Sequence, residues 1–284
     1  MRYPLVGSKS VMITGCSSGI GLASAQVLAA HGWRVLPTAR RAEDLDRLAA
    51  GGFDPIPLDL ESPESVAAAA RAALERGGGT LGGLVNNAGY AQFGAVEDLD
   101  RDALRRQLET NVLGTQELTN YLVPAFRRQG WGRIVNVSSV YGRITAPLVG
   151  TYCASKHALE ALSDAMRVEL RGSGVALSLI EPGPIATEFR RNAASRSAGL
   201  LELEAGRFAQ RYARSFRRAS ETSDRPKRWS APPEAVARRI LHALSSRRPR
   251  RRYCVTLPAY LGAAMRRLAP DSVLDALLAN SART

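Results

Sequence analysis

The chain alternates between two kinds of apolar pattern. Short continuous runs at Val11-Met12-Ile13, Val35-Leu36, Ile56 to Leu58, Leu84-Val85, Ile134 to Val137 and Val175 to Ile180 read as buried strands. Between them apolar positions recur every three or four residues, as at Ile20, Ala23, Val27 and Leu28, which predicts helices. Further helices are expected around Leu45 and Leu48, from Pro63 to Leu74, over one continuous span from about Asp100 to Arg128, and from Thr151 to Arg171. Pro63 suits a first helical position, where its missing N–H has no partner to lose. Strands alternating with helices predict βαβ units, hence a parallel sheet covered on both faces with right-handed crossovers. The expected fold class is α/β, a doubly wound parallel sheet of Rossmann type forming a single domain. Ligands of such a sheet bind beyond the carboxyl ends of its strands, where strand order reverses. Gly15 to Gly21, Asp59, Asn86 to Gly89, Ser138-Ser139 and Pro182 to Thr187 all follow strands and belong on that edge.

Composition narrows the class. A chain of 284 residues with 45% hydrophobic content can bury a sizeable core as one large domain. Its longest apolar runs are strand-sized and its first residues lack a signal-peptide pattern, so no membrane span and a cytoplasmic location are expected. Cys16, Cys153 and Cys254 lack metal-ligand spacing; they are expected as packed side chains, and no metal is expected. The formal charge of +13 is confined to one stretch. Between Arg190 and Arg252 stand 18 Lys/Arg and 5 Asp/Glu, which accounts for the whole excess and reads as decoration on a neutral scaffold. No nucleic-acid module surrounds these arginines, so no nucleic acid is expected as partner.

Thr14-Gly15-Cys16-Ser17-Ser18-Gly19-Ile20-Gly21 sets three glycines between a strand and a helix. Such a turn is tight, and the helix N-terminus offers N–H groups and a partial positive charge to a pyrophosphate; without context it is also a plain strand-to-helix connection. After the second strand, where dinucleotide folds place an acid for the adenosine ribose, stand Ala39-Arg40-Arg41. A guanidinium clasps a 2′-phosphate bidentately, so NADP(H) is expected over NAD(H), with Arg40 as its ligand. Arg41 either shares that task or begins a solvated helix. Asp59 either accepts from the adenine amino group or caps the next turn.

Tyr152 and Lys156 stand four residues apart, on one helical face. A phenol of pKa about 10 is a poor base at neutral pH, and a neighbouring ammonium stabilises its phenolate. Lys156 can also reach a nicotinamide ribose. Ser139, just past a strand, can hold a substrate oxygen, while Ser138 reads as a strand-end hydrogen-bonder. Asn111 is a poor helix former inside the long helix; it either bonds locally or relays a proton through water to Lys156. His157 points elsewhere on its helix and is read as structural.

Together these residues resemble the short-chain dehydrogenase/reductase family over roughly residues 8 to 190. The family's glycine motif matches Thr14 to Gly21, its Asn-Asn-Ala-Gly matches Asn86 to Gly89, its helix asparagine Asn111, its serine Ser139 and its Tyr-x-x-x-Lys Tyr152 to Lys156. The resemblance implies Asn111, Ser139, Tyr152 and Lys156 as catalytic. It implies cofactor binding by Gly15, Ser17, Ser18, Gly19, Ile20, Gly21, Arg40, Asp59, Leu60, Asn87, Ala88 and Gly89, by Tyr152 and Lys156, and by Pro182, Gly183, Ile185 and Thr187 in the loop that receives the nicotinamide amide. Tyr152 to Glu160, Met166 to Leu170 and Glu181 to Pro184 are similar to the hydroxysteroid and retinol dehydrogenase branch, and the likeness continues into Arg247 to Tyr253.

That branch implies a bulky apolar alcohol or ketone, steroid-, retinoid- or lipid-like, interconverted by hydride transfer with a tyrosine acid/base. A homodimer or homotetramer is implied, because the Asn111 and Tyr152 helices resemble the family's dimer-forming surfaces. The dehydrogenase domain would span 8–258, with a helical substrate lid at about 189–229 and a helical extension at 259–284. The lid stretch mixes Leu200, Leu201, Phe208, Tyr212 and Phe216 with arginines, and the last three aromatics have the spacing of one helical stripe. Its arginines are expected in solvent; the alternative is a basic rim for an anionic substrate, an acidic carrier protein or a membrane surface. A second enzyme reading is a ketoreductase for a carrier-bound β-ketoacyl or polyketide group. A catalytically silent dinucleotide sensor is the reading against which the complete Asn, Ser, Tyr, Lys set argues.

Overall fold

The computed structural model describes residues 2–198, 207–220 and 229–281. Among them seven strands form one parallel sheet: β1 (Ser10–Ile13), β2 (Arg34–Ala39), β3 (Ile56–Pro57), β4 (Gly83–Asn86), β5 (Gly132–Val137), β6 (Val175–Pro182) and β7 (Arg252–Val255). Their order in space is β3-β2-β1-β4-β5-β6-β7. Strand order reverses between β1 and β4, which pair directly through Val11 with Gly83 and Ile13 with Val85. The glycine turn after β1 and the Asn-Asn-Ala-Gly run after β4 therefore emerge side by side at the switch point.

Both faces of the sheet are covered, which explains the continuous apolar runs. Successive strand residues point to opposite faces. Val11 and Ile13 join Val35, Val135, Val137 and Ile180 on one side, beneath α1 (Gly19–Ala30), α2 (Ala42–Ala50) and α9 (Pro233–Ser245). Met12 joins Leu36, Leu84, Ile134 and Leu177 on the other, beneath α3 (Pro63–Arg76) and α5 (Gly114–Gln129). Ser62 caps α3 by accepting from the Ser65 N–H, and Pro63 occupies the first turn.

Three expectations change. The continuous helix from Asp100 to Arg128 is interrupted: α4 (Arg101–Leu108) runs into one π-helical turn, Glu109–Leu113, before α5 begins. Apolar periodicity carries no mark of the extra residue in that turn. The seventh strand is too short and too polar at its start to register as an apolar run, and its sheet partner β6 defines it. Third, the arginine-rich stretch is more than decoration. Arg252, at the start of β7, enters a largely buried ionic cluster with Glu160 and Glu181, and Arg143 also reaches Glu181.

The remaining helices lie along the carboxyl edge and beyond: α6 (Gly150–Glu169), α7 (Phe189–Ser197), α8 (Ala209–Ser220), α10 (Leu257–Leu268) and α11 (Asp271–Ser281). On α8, Tyr212 is buried with Ala95, and Phe208, Phe216, Leu99 and Leu148 pack around the pair, so the predicted aromatic stripe faces inward. Leu200 and Leu201 lie outside the described residues. Among the described residues no helix is long and apolar enough to cross a membrane, and no group of His, Cys, Asp or Glu side chains is arranged to hold a metal ion.

Candidate active site

The glycine turn is shaped by backbone crowding. Gly15 takes φ +71°, and a Cβ there would meet the Ala88 Cα at 2.8 Å. A Cβ on Gly21 would sit 2.1 Å from the Gly15 carbonyl oxygen and 2.6 Å from Asn87 Nδ2. Only glycine closes this turn. Asn87 secures it by donating to the carbonyls of Thr14 and Gly15 at 2.9 and 3.0 Å. Ser18 precedes α1 without a side-chain cap, which leaves first-turn N–H groups of Gly19, Ile20 and Gly21 for an anion. Gly19 also lies against the Thr187 methyl, so the glycine turn and the Pro182 to Thr187 loop meet across one opening. In that loop Gly183 donates to the Val255 carbonyl at 2.9 Å, and Ile185 bridges to Ala231.

One cleft is lined by Gly15, Ser17, Arg40, Asp59, Leu60, Ala88 and Gly89, all residues singled out in the sequence, together with Arg41 and Asp44. The extended cradle of glycine turn, helix N-terminus and polar-rimmed cleft fits a dinucleotide. Arg41 donates to Asp44 from Nε at 2.9 Å, and the Asp44 carboxylate also receives Arg47. Arg41 therefore begins a helix with its guanidinium engaged. Arg40 is exposed and enters no ion pair found among the described residues. Asp59 lies two residues beyond β3 and accepts the Glu61 N–H at 3.1 Å, a local turn that leaves its other oxygen available.

Farther along the same edge α6 carries Tyr152 and Lys156, both buried. Lys156 Nζ donates to the Val137 carbonyl at 2.9 Å and lies 5.8 Å from the centre of the Tyr152 ring. Burial raises the Tyr152 pKa well above its ordinary value, opposed by a hydrogen bond with the Ser139 side chain. Burial also pulls Lys156 down to about 8, opposed by the Glu160 carboxylate one turn along α6. Each group is thus harder to charge than in water, and Tyr152 rests as a neutral phenol able to give up a proton. Ser139 Oγ accepts the Tyr141 N–H at 3.2 Å at the start of a short 3₁₀ turn, Val140–Gly142. Ser138 donates its backbone N–H to the Ile180 carbonyl at 2.8 Å, a strand-end bond that does not call on its hydroxyl.

Asn111 sits in the π-helical turn, 1% exposed. Its amide accepts the Tyr90 N–H at 3.1 Å and donates to the Tyr90 carbonyl at 2.9 Å and to Ser155 Oγ at 3.0 Å. These partners lie 21 and 44 residues away in the chain, so the contacts are tertiary and not the local bonds that one reading of the sequence expected. Through Ser155, whose hydroxyl donates to the Tyr152 carbonyl at 2.7 Å, Asn111 ties the loop after β4 to the helix bearing Tyr152. His157 bonds the Cys153 carbonyl within its own helix at 2.9 Å.

This arrangement has relatives. The family model described as short chain dehydrogenase matches residues 9–198. The chain belongs to the short-chain dehydrogenase/reductase family. It is 41% identical to an uncharacterized oxidoreductase, YbbO, of Escherichia coli K12, over 96% of this chain and 95% of that one. It is 33% identical to an NADPH-dependent 3-dehydrocapnine reductase of Ornithobacterium rhinotracheale, covering 97% and 95%. Human 17-beta-hydroxysteroid dehydrogenase type 1 is 36% identical, covering 87% and 77%. A solved short-chain dehydrogenase from Streptomyces avermitilis superimposes with a TM-score of 0.77 at 30% identity, covering 95% of both chains.

Several site residues of this short-chain dehydrogenase escape sequence reasoning. Thr14 Oγ1 accepts from the N–H groups of Asn87 and Ala88, both at 2.9 Å, and joins the two loops of the switch point. Its place inside the glycine motif was the available signal. Ser155, between Tyr152 and Lys156, was visible in the same way. Arg196 was not: one of many arginines, it reaches back from α7, stacks over the Tyr90 ring at 4.1 Å and lines the cleft. Phe189 at the start of α7 lies 5.7 Å from the Tyr152 ring, and Tyr141 lies 6.3 Å from it, nearly perpendicular. With Phe93, Val149 and Ala193 they make the surroundings of the phenol apolar.

Proposed function

We propose that this oxidoreductase interconverts a bulky apolar ketone and its alcohol with NADP(H), working as a reductase. The observation that carries the reading is the neutral, buried Tyr152 beside Ser139 and Lys156, enclosed by Phe93, Tyr141 and Phe189. A reduced nicotinamide supplies the hydride that a carbonyl carbon accepts. Tyr152 gives its phenolic proton to the carbonyl oxygen, and Ser139 holds that oxygen by hydrogen bonding. The Lys156 ammonium stabilises the phenolate left behind, and Asn111, through Ser155, positions the helix that carries both. Aromatic walls favour an apolar substrate, and the reductase and hydroxysteroid dehydrogenase relatives are in keeping with this.

The preference for NADP(H) rests on Arg40. Its guanidinium is available for a 2′-phosphate, while the nearby Asp44 carboxylate, which would otherwise favour a bare ribose, is already neutralised by Arg41 and Arg47.

The test is NADPH consumption against steroid, retinoid, long-chain and acyl-carrier-bound ketones, run with the wild type and Tyr152→Phe. Turnover of free apolar ketones is expected, falling about a hundred- to ten-thousandfold in the variant while NADPH still binds. Retained turnover in Tyr152→Phe would remove the phenol from the reaction. Preference for the carrier-bound substrate would replace the free-ketone reading.

A further inference from the structure

Helix α10 has an inner face made for contact and an outer face of the same apolar character turned to solvent. On the inner face Ala259 and Gly262 stand one turn apart. A Cβ on Gly262 would meet Val140 Cγ2 at 2.8 Å, so this helix packs directly on the 3₁₀ turn that follows Ser139. On the outer face Leu257, Tyr260, Leu261 and Leu268 are 50%, 50%, 53% and 80% exposed. At helical spacing these four fall within an arc of about 100°. A stripe normally buried against a core here faces outward.

The surroundings of the stripe are aromatic and basic. Tyr260 lines a shallow cleft with Arg238, Arg239 and Ala231, and Trp229, half exposed, lies two residues before Ala231. Arg267 flanks the stripe on the Tyr260 side, one residue before its end. Leucines bounded by tryptophan, tyrosine and guanidinium groups match the layering of an anionic bilayer surface, where acyl chains lie beneath aromatic-rich and phosphate-rich zones. A second copy of the chain is a poorer match, because a two-fold contact would bring two copies of the same basic patch into one interface.

We propose that the outer face of α10, with Trp229, Arg238 and Arg239, docks this enzyme onto an anionic phospholipid surface. The occupant is the bilayer: its phosphates meet the arginines, and Leu257, Leu261 and Leu268 enter the acyl boundary. The docking itself follows from the exposed stripe and its charge. Its purpose rests on the proposed apolar substrate, since α10 also abuts the Ser139 turn and would hold the catalytic edge at a surface where such ketones accumulate.

Flotation of the full chain with phosphatidylcholine vesicles, with and without phosphatidylglycerol, tests this. Binding is expected to the phosphatidylglycerol vesicles and to weaken as salt rises. Arg238→Glu with Arg239→Glu should weaken it at least about thirtyfold, given the contribution of each surface cation. Leu257→Ser with Leu261→Ser should also weaken it, while thermal unfolding and turnover of a water-soluble ketone stay at wild-type values. Absence of flotation at low salt, or unchanged flotation of both double variants, would overturn the proposal. So would conversion of an oligomer to a monomer by the leucine substitutions in sedimentation velocity, which would assign the stripe to a second copy. Flotation requires no turnover, so failure of the ketone assay with flotation intact would strike the substrate reading and leave the docking in place.

Discussion

Replacing Arg252 with methionine removes the hub of the ionic cluster that joins α6, β6 and β7. The Arg252 guanidinium bridges Glu160 on α6 and Glu181 on β6, reaching Glu181 at 2.7 Å and Asp164 at 2.5 Å. The Glu160 and Glu181 side chains are only 7% and 2% exposed. Removing one partner of a fully buried pair destabilises by about 3–5 kcal/mol. Arg252 itself is 24% exposed and Arg143 stays 3.2 Å from Glu181, so the loss here is smaller. About 2–3 kcal/mol is expected, a fall in Tm of about 4–10 °C for a chain of this size.

The sign of its pH dependence follows from Glu160. Its pKa is already raised, first by burial and then by the Glu181 charge, with Arg252 opposing both. Without Arg252 it rises further, so over the window between the unfolded and folded values the native state binds more protons than the unfolded state. Stability then falls as pH rises through that window, and the deficit of Arg252→Met relative to wild type shrinks from about pH 7.5 to about pH 5.5. Thermal unfolding followed by circular dichroism at both pH values measures it. A variant as stable as wild type near neutrality, or a deficit that grows on acidification, would refute the account of the cluster as paired buried charge.

Three further outcomes are expected. Asn111→Ala leaves the Tyr90 N–H without its acceptor and cuts the tie to Ser155, whose hydroxyl keeps its bond to the Tyr152 carbonyl; it should lower stability by about 2 kcal/mol, visible in urea midpoints, and reduce turnover through displacement of α6. Ketone reduction should decline as pH passes about 8, where Lys156 loses the charge that stabilises the phenolate; in Lys156→Arg that alkaline limb should move upward, as pH–rate profiles would reveal. Arg40→Ala should weaken NADPH binding by about tenfold or more while leaving NADH binding nearly unchanged, measured by nicotinamide fluorescence; equal losses for both would exclude a phosphate role.

The doubly wound sheet was legible because strands buried on both faces are continuous apolar runs and the intervening helices keep their own period. The pairing of Tyr152 with Lys156 was legible because the two share one helix, and a spacing of four sets their relation in any context. Other features depend on partners distant in the chain. The π-helical turn at Asn111 exists to aim an amide at Tyr90 and Ser155, and helical periodicity carries no trace of one extra residue. Among the many arginines between 190 and 252, composition assigns all the same solvated role. Packing alone separates Arg252, drawn inward by Glu160 and Glu181, from Arg196, laid over Tyr90, and from Arg238 and Arg239, left at the surface. Local sequence determined which segments are strands and helices and which loops carry catalytic residue types, because those depend on near neighbours. Tertiary structure decided which charges are buried and which apolar face stays outside, because desolvation depends on what the rest of the chain brings alongside.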